Sequence, residues 1–281
     1  MYNPTIEFAL LAMTLIGTAD AINKQARKAN IPIGSYLLIQ APFFTSVILI
    51  ITIMFTGIKI STTDILFSLV GAIFSFAAFT LMLHSLTYGY ASINYAIFRL
   101  SFIFSSVTAI IFLSESLSLG KGIGIILATC AILLFFYNPK QKVIQKKSLV
   151  FAICAMVSGS CFQLTLKFAT QVFSSLPSFL LLMSIFFACF VVIYNTIFGN
   201  FKIPRKTFVY APFNGILMAL GSLFLLAALS RGEVSLVTPI VQLSFLITLI
   251  LSVLYLKEKI NVSQTVGIIC AAIAIIILGN F

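Results

Sequence analysis

Charged residues are scarce in this sequence, and their scarcity excludes a soluble globular domain. Asp, Glu, Lys and Arg make up 8% of the 281 residues, whereas a soluble domain carries about a quarter. Hydrophobic residues reach 61%, and the mean hydropathy is +1.17. Water would wet most of this surface poorly, so we predict that lipid surrounds much of the chain.

Residue types that carry catalysis or bind metals are scarce as well. The chain has one His, six dispersed acidic residues and no Trp, and its five Cys lie in apolar stretches without a Cys-x-x-Cys pair. It also has no phosphate-binding Gly-rich loop, no His-Glu-x-x-His motif and no nucleophile elbow. The sequence therefore predicts no catalytic residue, no metal site, no cofactor and no disulfide framework, and we expect that the protein is not an enzyme.

Ten long apolar stretches dominate what the sequence does contain. A membrane-spanning helix needs roughly 20 apolar residues, and in lipid only helices and closed barrels pair all their backbone groups. The stretches are continuous rather than alternating, which favours helices over a barrel. We predict an all-α integral membrane protein, multi-pass in the cell (inner or plasma) membrane, with spans at residues 4–22, 34–57, 64–86, 91–113, 120–138, 148–170, 176–198, 208–229, 234–256 and 261–280.

An internal repeat divides the chain. At one constant offset, residues of the first half match residues of the second, including polar and glycine positions that chance similarity between apolar helices does not explain. The clearest matches are Gly89, Ser92 and Glu115 with Gly232, Ser235 and Glu258, then Leu100-Ser101-Phe102 with Leu243-Ser244-Phe245, and Lys24 with Lys167. We predict two repeats, residues 1–138 and 148–281, joined by a basic linker at 139–147.

Each repeat holds five spans, which is an odd number. The second repeat must therefore enter the membrane from the opposite side, and the fold class that we predict is ten transmembrane helices as two inverted five-helix repeats. This architecture recurs in secondary carriers, because an exchange of conformations between the halves exposes one central site to each side in turn. We expect a central cavity lined by the first, third, fourth, sixth, eighth and ninth spans.

The repeated motifs also resemble a known family, the EamA-type family of the drug/metabolite transporter superfamily. The motifs that carry the resemblance are Gly89-x-x-Ser92 and Gly232-x-x-Ser235 at the entry to a span, the acidic Glu115 and Glu258 after it, and Gly124 and Gly267 in the next span. The resemblance covers the whole chain as two copies of a five-helix unit, and it is most specific in the last two helices of each. It implies a ten-helix transporter of metabolites such as amino acids, nucleotide derivatives or sugars.

Two positions depart from the pattern of that family. The first copy has Ala96 where the second has Pro239, and Gln40 stands in the second span where family members often carry an Arg.

Arg99 is the strongest candidate for a substrate-binding residue. It lies roughly eight residues into the fourth span, about 12 Å deep at 1.5 Å per residue. A charge at such a depth costs about 2.5–3.5 kcal/mol on insertion scales, so it indicates function. Arg99 either forms a fork for a substrate carboxylate or phosphate, or is tied to Glu7, Asp20 or backbone carbonyls.

Further polar residues complete the predicted substrate site. The repeat matches Asp20 with Gln163 and Arg99 with Gln242, so each pair places one charged and one neutral group at equivalent depth. An asymmetric site for an anionic or zwitterionic solute explains this arrangement, and so does drift after duplication.

Three more candidates lie near one end of the third and fourth spans. They are His84, Asn94 and Tyr95, which either bind substrate or make ordinary hydrogen bonds. Glu7 is the candidate for proton coupling, although it also fits an interfacial carboxylate.

The basic residues lie mainly in short connections between spans. The net charge of +11 therefore indicates the charge bias of membrane proteins and no nucleic-acid partner. Most Lys and Arg residues lie on one side, with Lys59, Lys121 and Arg231 on the other, which alone places both termini outside the cytoplasm. The family resemblance implies that both termini are cytoplasmic, so the orientation stays open.

Together these features predict a secondary active transporter of a small polar metabolite, amino-acid-like or anionic, that works by alternating access. The expected partners are this metabolite and the lipid bilayer, and the sequence allows a homodimer. The alternatives are a non-transporting membrane scaffold, which would have no polar cavity, and a membrane-embedded enzyme, which would need clustered catalytic groups.

Overall fold

The computed structural model describes residues 4–137, 145–173, 175–198, 203–256 and 261–280. Within these ranges the regular structure consists of twelve α-helices and no strand. The first half contains α1 (Pro4–Lys28), α2 (Ile33–Phe55), α3 (Thr62–Tyr88), α4 (Ala91–Arg99), α5 (Ser101–Phe112) and α6 (Leu119–Phe136). The second half contains α7 (Lys146–Val172), α8 (Leu176–Phe198), α9 (Thr207–Leu229), α10 (Val234–Gln242), α11 (Phe245–Leu256) and α12 (Val262–Leu278).

Every predicted span coincides with an apolar helix or helix pair, as the run lengths in the sequence require. Within the described ranges, nine helical stretches are long and apolar enough to cross a membrane, with α4–α5 and α10–α11 counted once each. The remaining helix, α12, is apolar and 17 residues long. This confirms an all-helical chain with the composition of a membrane protein. The predicted linker 139–147 lies outside the described residues except for 145–147, and α7 already begins at Lys146.

Side-chain caps fix where several helices begin. At the start of α3, the Ser61 hydroxyl accepts a hydrogen bond from the Asp64 backbone N–H, and the Asp64 carboxylate accepts one from the Ser61 N–H. Asn261 and Gln264 form the same reciprocal pair at the start of α12. Each pair satisfies two backbone donors that a helix leaves unpaired at its first turn, so these helices have defined starting points.

Two of the predicted spans are interrupted at equivalent positions of the repeat. The residues after α4 and α10, Leu100 and Leu243, have ψ values of 0° and 7°, whereas a regular helix has about −42°. Pro239 lies inside α10, but α4 contains no proline, so proline is not the shared cause. The sequence predicted continuous spans here, and the two breaks are a feature that the structure adds.

The helices of the two halves interleave, so that the core lies between them. α1 packs mainly against α9, and its equivalent α7 packs against α3, the equivalent of α9. In the same way α2 contacts α9 and α8 contacts α3, while α6 pairs with α12. Large apolar side chains remain exposed around the outside, such as Ile53 on α2 and Ile197 on α8, as expected of a surface that faces lipid.

Candidate functional site

A cavity of about 330 Å³ lies where helices of both halves meet. Its lining runs from the break between α4 and α5 towards the α1–α2 connection, where Asn23, Ala26 and Ile31 contribute. All six spans that the sequence predicted contribute residues to it, and so do α2 and α8, which the sequence analysis did not include.

An ion pair between two helices of the first half is the strongest electrostatic feature of this lining. Arg99 Nη2 of α4 lies 2.5 Å from Asp20 Oδ2 of α1, and Arg99 is 8% exposed. Arg99 Nη1 donates to the backbone carbonyl of Gln242 at 2.9 Å and to the Ser244 hydroxyl at 2.8 Å. Of the two sequence interpretations, the structure therefore forms the tie to Asp20 and to a backbone carbonyl, and the charge of Arg99 is neutralised within the protein.

The break in the second half explains why a carbonyl is available to Arg99. The Leu246 N–H bonds to Leu243 O instead of continuing the helical pattern with the Gln242 carbonyl. Burying an unpaired carbonyl is costly, and the Arg99 guanidinium supplies the missing donor. Since Arg99 and Gln242 are repeat equivalents, 143 residues apart, the two halves meet at corresponding points.

A close approach of helices brings Asp20 to this point. A Cβ atom at Gly17 would collide with the backbone oxygen of Ser244 and the side chain of Ile247, so a larger residue would push α1 away from the break before α11. The Thr248 hydroxyl also donates to the Gly17 carbonyl at 2.8 Å. Asp20 lies less than one turn farther along α1, on the side of the cavity.

The neutral counterparts of the ion pair form an uncharged network. Gln242 Nε2 donates to the Ser101 hydroxyl at 3.2 Å, which mirrors the contact of Arg99 with Ser244. Gln163 Nε2 donates to the same Ser101 hydroxyl at 3.2 Å, and its Oε1 accepts from Ser105 Oγ at 2.7 Å. Gln163 and Gln242 both line the cavity, together with Tyr95.

The other predicted residues lie elsewhere. Asn94 is fully buried and joins three helices, since its Nδ2 donates to the Ser85 carbonyl at 2.8 Å and its Oδ1 accepts from Ser148 at 3.0 Å. His84 is exposed, with its ring 5.8 Å from that of Phe151. Glu7 is exposed in the first turn of α1. These three residues are not part of the described cavity lining, and their predicted roles stay predictions.

A polar pair between α2 and α9 was missed by the sequence analysis. Gln40 Nε2 donates to Asn214 Oδ1 at 2.7 Å, and Asn214 Nδ2 donates to the Ala19 carbonyl of α1 at 2.7 Å. The signal was a lone amide in each of two very apolar spans. Because the two amides are far apart in sequence, nothing local indicated that they would meet.

The end of the cavity opposite the α1–α2 connection is packed closed around α7. Lys167 Nζ donates to the carbonyls of Leu229 and Gly232 in and after α9, at 2.9 and 2.6 Å. The Glu115 carboxylate accepts from the N–H groups of Val234 and Ser235 at 2.6 and 2.9 Å, which places a negative charge at the N-terminus of α10.

The motifs behind the family resemblance therefore build this closed end. Glu115 also accepts from the Ser235 hydroxyl at 2.6 Å, and an ion pair between Lys121 and Glu233 lies beside it. Glu258, the repeat equivalent of Glu115, lies outside the described residues.

No metal site is evident in the part of the chain that the structure describes. There, no group of three or more His, Cys, Asp or Glu side chains is arranged so that it could hold an ion. The polar groups of the cavity are instead an ion pair, amides and hydroxyls, which can bind and orient a solute by hydrogen bonds.

Comparisons with known proteins place this geometry in a family. A solved crystal structure superposes with a TM-score of 0.83 on 97% of this chain and 95% of its own length, at 10% sequence identity, which shows a shared fold alone. An uncharacterized protein of Methanocaldococcus jannaschii is 39% identical over 74 residues, or 26% of this chain, and the chain spans about half (54%) of that relative's length. The EamA-like transporter family matches residues 3–137 and again residues 146–280. The chain belongs to the EamA-like transporter family and is a multi-pass membrane protein of the drug/metabolite transporter superfamily.

Proposed function

We propose that this protein is a secondary carrier for a small amino-acid-like solute and works by alternating access between two inverted five-helix halves. The observation that carries the proposal is a cavity that contains an ion pair and several amides at the point where two helices break at equivalent positions and bond to each other. Half-helix ends around a central site are a recurring device of carriers with inverted repeats.

The pattern of helix packing supports the inverted arrangement. Contacts between the halves occur in matched pairs, such as α1 with α9 and α7 with α3. Matched pairs of this kind are expected when two copies of one unit are related by a two-fold axis. With five spans in each copy, that axis lies in the membrane plane, since the second copy starts from the opposite side.

The unequal ends of the cavity support alternation. Near the end of α1, the half-buried Asn23 lines the cavity, whereas its equivalent near the end of α7, Leu166, is fully buried. Two copies of one unit in two different packings provide what alternating access requires. Exchange of the two packings would close the first end and open the second.

The charges of the cavity favour a zwitterion over a simple anion. Asp20 and Arg99 are the charged residues of the described lining, and they already neutralise each other. An anion would have to compete with Asp20 for the guanidinium, whereas a zwitterion offers a carboxylate to Arg99 and an ammonium to Asp20 at once. Aromatic side chains such as Phe79, Phe98 and Phe187 cover much of the remaining wall, which suits a solute with an apolar part.

The size of the cavity is compatible with this class of solute. Its volume of about 330 Å³ is at the low end of the roughly 300–1,000 Å³ typical of small-molecule sites. The polar groups in the lining also disfavour the scaffold hypothesis, which expected no polar cavity. We place the carrier in the cell membrane, because its apolar helices and short connections suit a multi-pass protein.

Uptake into liposomes tests the proposal. Purified protein is reconstituted and offered radiolabelled neutral amino acids, dicarboxylates, phosphorylated sugars and quaternary amines. We expect uptake of a neutral amino acid by the natural sequence and by the surface control Arg205→Ala, and none by Arg99→Ala. Transport of dicarboxylates or sugar phosphates in place of amino acids would refute the proposed substrate class, and no transport or binding of any solute would refute the carrier.

A further inference from the structure

Gln40 has a buried hydrogen-bond acceptor whose direction is fixed by its neighbours. The Ala19 backbone carbonyl can only accept, so the Asn214 group that bonds to it must be the NH₂. The Asn214 oxygen then faces Gln40, which must donate through its own NH₂. The remaining Gln40 atom, the carbonyl oxygen Oε1, is buried and has no partner among the described residues.

Tight packing holds this arrangement in place. A Cβ atom at Gly215, next to Asn214, would lie 2.6 Å from the Gln40 backbone oxygen. Glycine therefore lets α9 approach α2 closely enough for the two amides to bond. The orientation of Gln40 is set by three helices, because Asn214 also reaches α1 beside Asp20.

The second half shows that the fold does not need a polar pair at this contact. The repeat equivalents of Gln40 and Asn214 are Met183 and Gly71, on α8 and α3. There the Met183 sulfur lies 3.1 Å from where a Cβ atom of Gly71 would stand, so an apolar side chain fills the same place. A packing requirement therefore does not explain Gln40 and Asn214, and their polarity points to a ligand.

Two further buried polar atoms without a described partner belong to residues that line the same cavity. Tyr36 precedes Gln40 by four residues on the same face of α2, and its hydroxyl is also buried without a described partner. So is Arg99 Nε. All three residues line the cavity and are less than a tenth exposed. Buried polar atoms in proteins are normally paired. A solute bound in the cavity would supply the missing partners of this acceptor, this donor and this hydroxyl.

We propose that Gln40, oriented by Asn214, accepts a hydrogen bond from an ammonium or other N–H group of the transported solute, and thereby selects amine-bearing solutes over analogues without the amine. The inference rests on the proposed carrier function and adds the residue that accepts a hydrogen bond from the N–H groups of the solute. Arg99 donates to the carboxylate of the solute. Asp20, next to the residue that anchors Asn214, supplies the charge that favours a cation there.

The second half supplies the matched variant that tests the inference. The double substitution Gln40→Met with Asn214→Gly copies the Met183–Gly71 pair, so its side chains already pack between the equivalent helices. Uptake kinetics are measured for phenylalanine and for 3-phenylpropionate, its analogue without the amine. Thr45→Val is the control, because the Thr45 hydroxyl is another buried unpaired group of α2 that lies outside the described lining.

We expect the double variant to raise KM for phenylalanine by roughly tenfold to a hundredfold, the value of a hydrogen bond to a charged group. Its discrimination between phenylalanine and 3-phenylpropionate should fall by a similar factor, while Thr45→Val keeps both values. Asn214→Gly alone frees the Gln40 amide to turn over and should weaken the discrimination with a smaller change in KM.

The outcomes separate this inference from the function on which it rests. Suppose that the natural sequence transports phenylalanine, and that size-exclusion chromatography and thermal melting show the double variant to be folded. If the double variant then keeps the same KM and the same discrimination, the role of Gln40 is refuted, whereas the carrier function stands. An equal change in Thr45→Val would also refute it, since the effect would then belong to α2 as a whole. If the natural sequence moves no amino acid, the proposed function itself fails.

Discussion

α1 and α7 are equivalent helices of the two halves, yet their C-terminal parts differ in packing. In α1, Asn23 lines the cavity, while its equivalent in α7, Leu166, is fully buried. Lys167 holds the turn after α9 through two carbonyls, whereas the equivalent Lys24 donates to Ser252 of α11 at 3.1 Å. The two repeats of the five-helix unit thus pack differently in one molecule, which indicates that the unit can adopt both packings.

The comparison extends to the centre, where charge separates the halves. The first half contributes Asp20 and Arg99 and the second contributes the neutral Gln163 and Gln242, but all four surround the same cavity. The ends differ in packing and the centre differs in chemistry. We propose that the two ends exchange their packings during transport, while the polar residues of the centre stay in place and bind the solute.

The largest expected effect comes from removing the charges of the Arg99–Asp20 ion pair. Arg99→Ala leaves the partly exposed Asp20 without its cation. Loss of one partner costs about 3–5 kcal/mol in a fully buried pair, so we expect uptake to be lost and thermal stability to fall by less than this amount. The double variant Asp20→Gln with Arg99→Gln copies the second half and removes the unpaired charge. It should recover the melting temperature without recovering uptake, whereas recovery of uptake would show that the ion pair has only a structural role.

A smaller effect is expected from Lys167→Met, which breaks the closed end. The variant loses two hydrogen bonds from a charged donor, each worth about 1.5–3 kcal/mol, so the closed packing around α7 should open more often. The labelling rate of a cysteine at Leu166 by a membrane-impermeant maleimide measures this opening and should rise about tenfold or more. Lys24→Met is the matched control and should leave that rate unchanged or lower it.

Glu115→Gln should have a milder effect at the same end. The carboxylate accepts from two backbone N–H groups at the start of α10, and an amide retains part of that capping without the charge. We expect a loss of about 1 kcal/mol, seen as a modestly lower melting temperature and slightly faster labelling of the Leu166→Cys site. A gain in stability would contradict the capping role.

The smallest effect is expected from Glu7→Gln. Glu7 is exposed in the first turn of α1, away from the described cavity lining, so uptake and its response to an imposed proton gradient should be unchanged. Loss of the response to the gradient would establish the proton-coupling role that the sequence analysis considered.

The sequence predicts the helices well because the length of an apolar run fixes where a span can lie. The breaks after Arg99 and Gln242 were not predictable, since they depend on a contact between halves in which Arg99 satisfies a carbonyl freed at the other break. Depth alone singled out Arg99, which lies in the cavity lining, but depth does not give the rotation of a helix. Asn94 therefore looked similar in sequence and instead ties helices together.

The most direct test compares cysteines at Asn23 and Leu166 in a protein whose five native cysteines are replaced. Labelling by an impermeant maleimide is measured from each side of oriented vesicles, with and without a transported amino acid. We predict that the two sites react from opposite sides and that a condition that speeds one slows the other. Labelling of both from the same side, or rates that rise together, would contradict alternation between inverted halves.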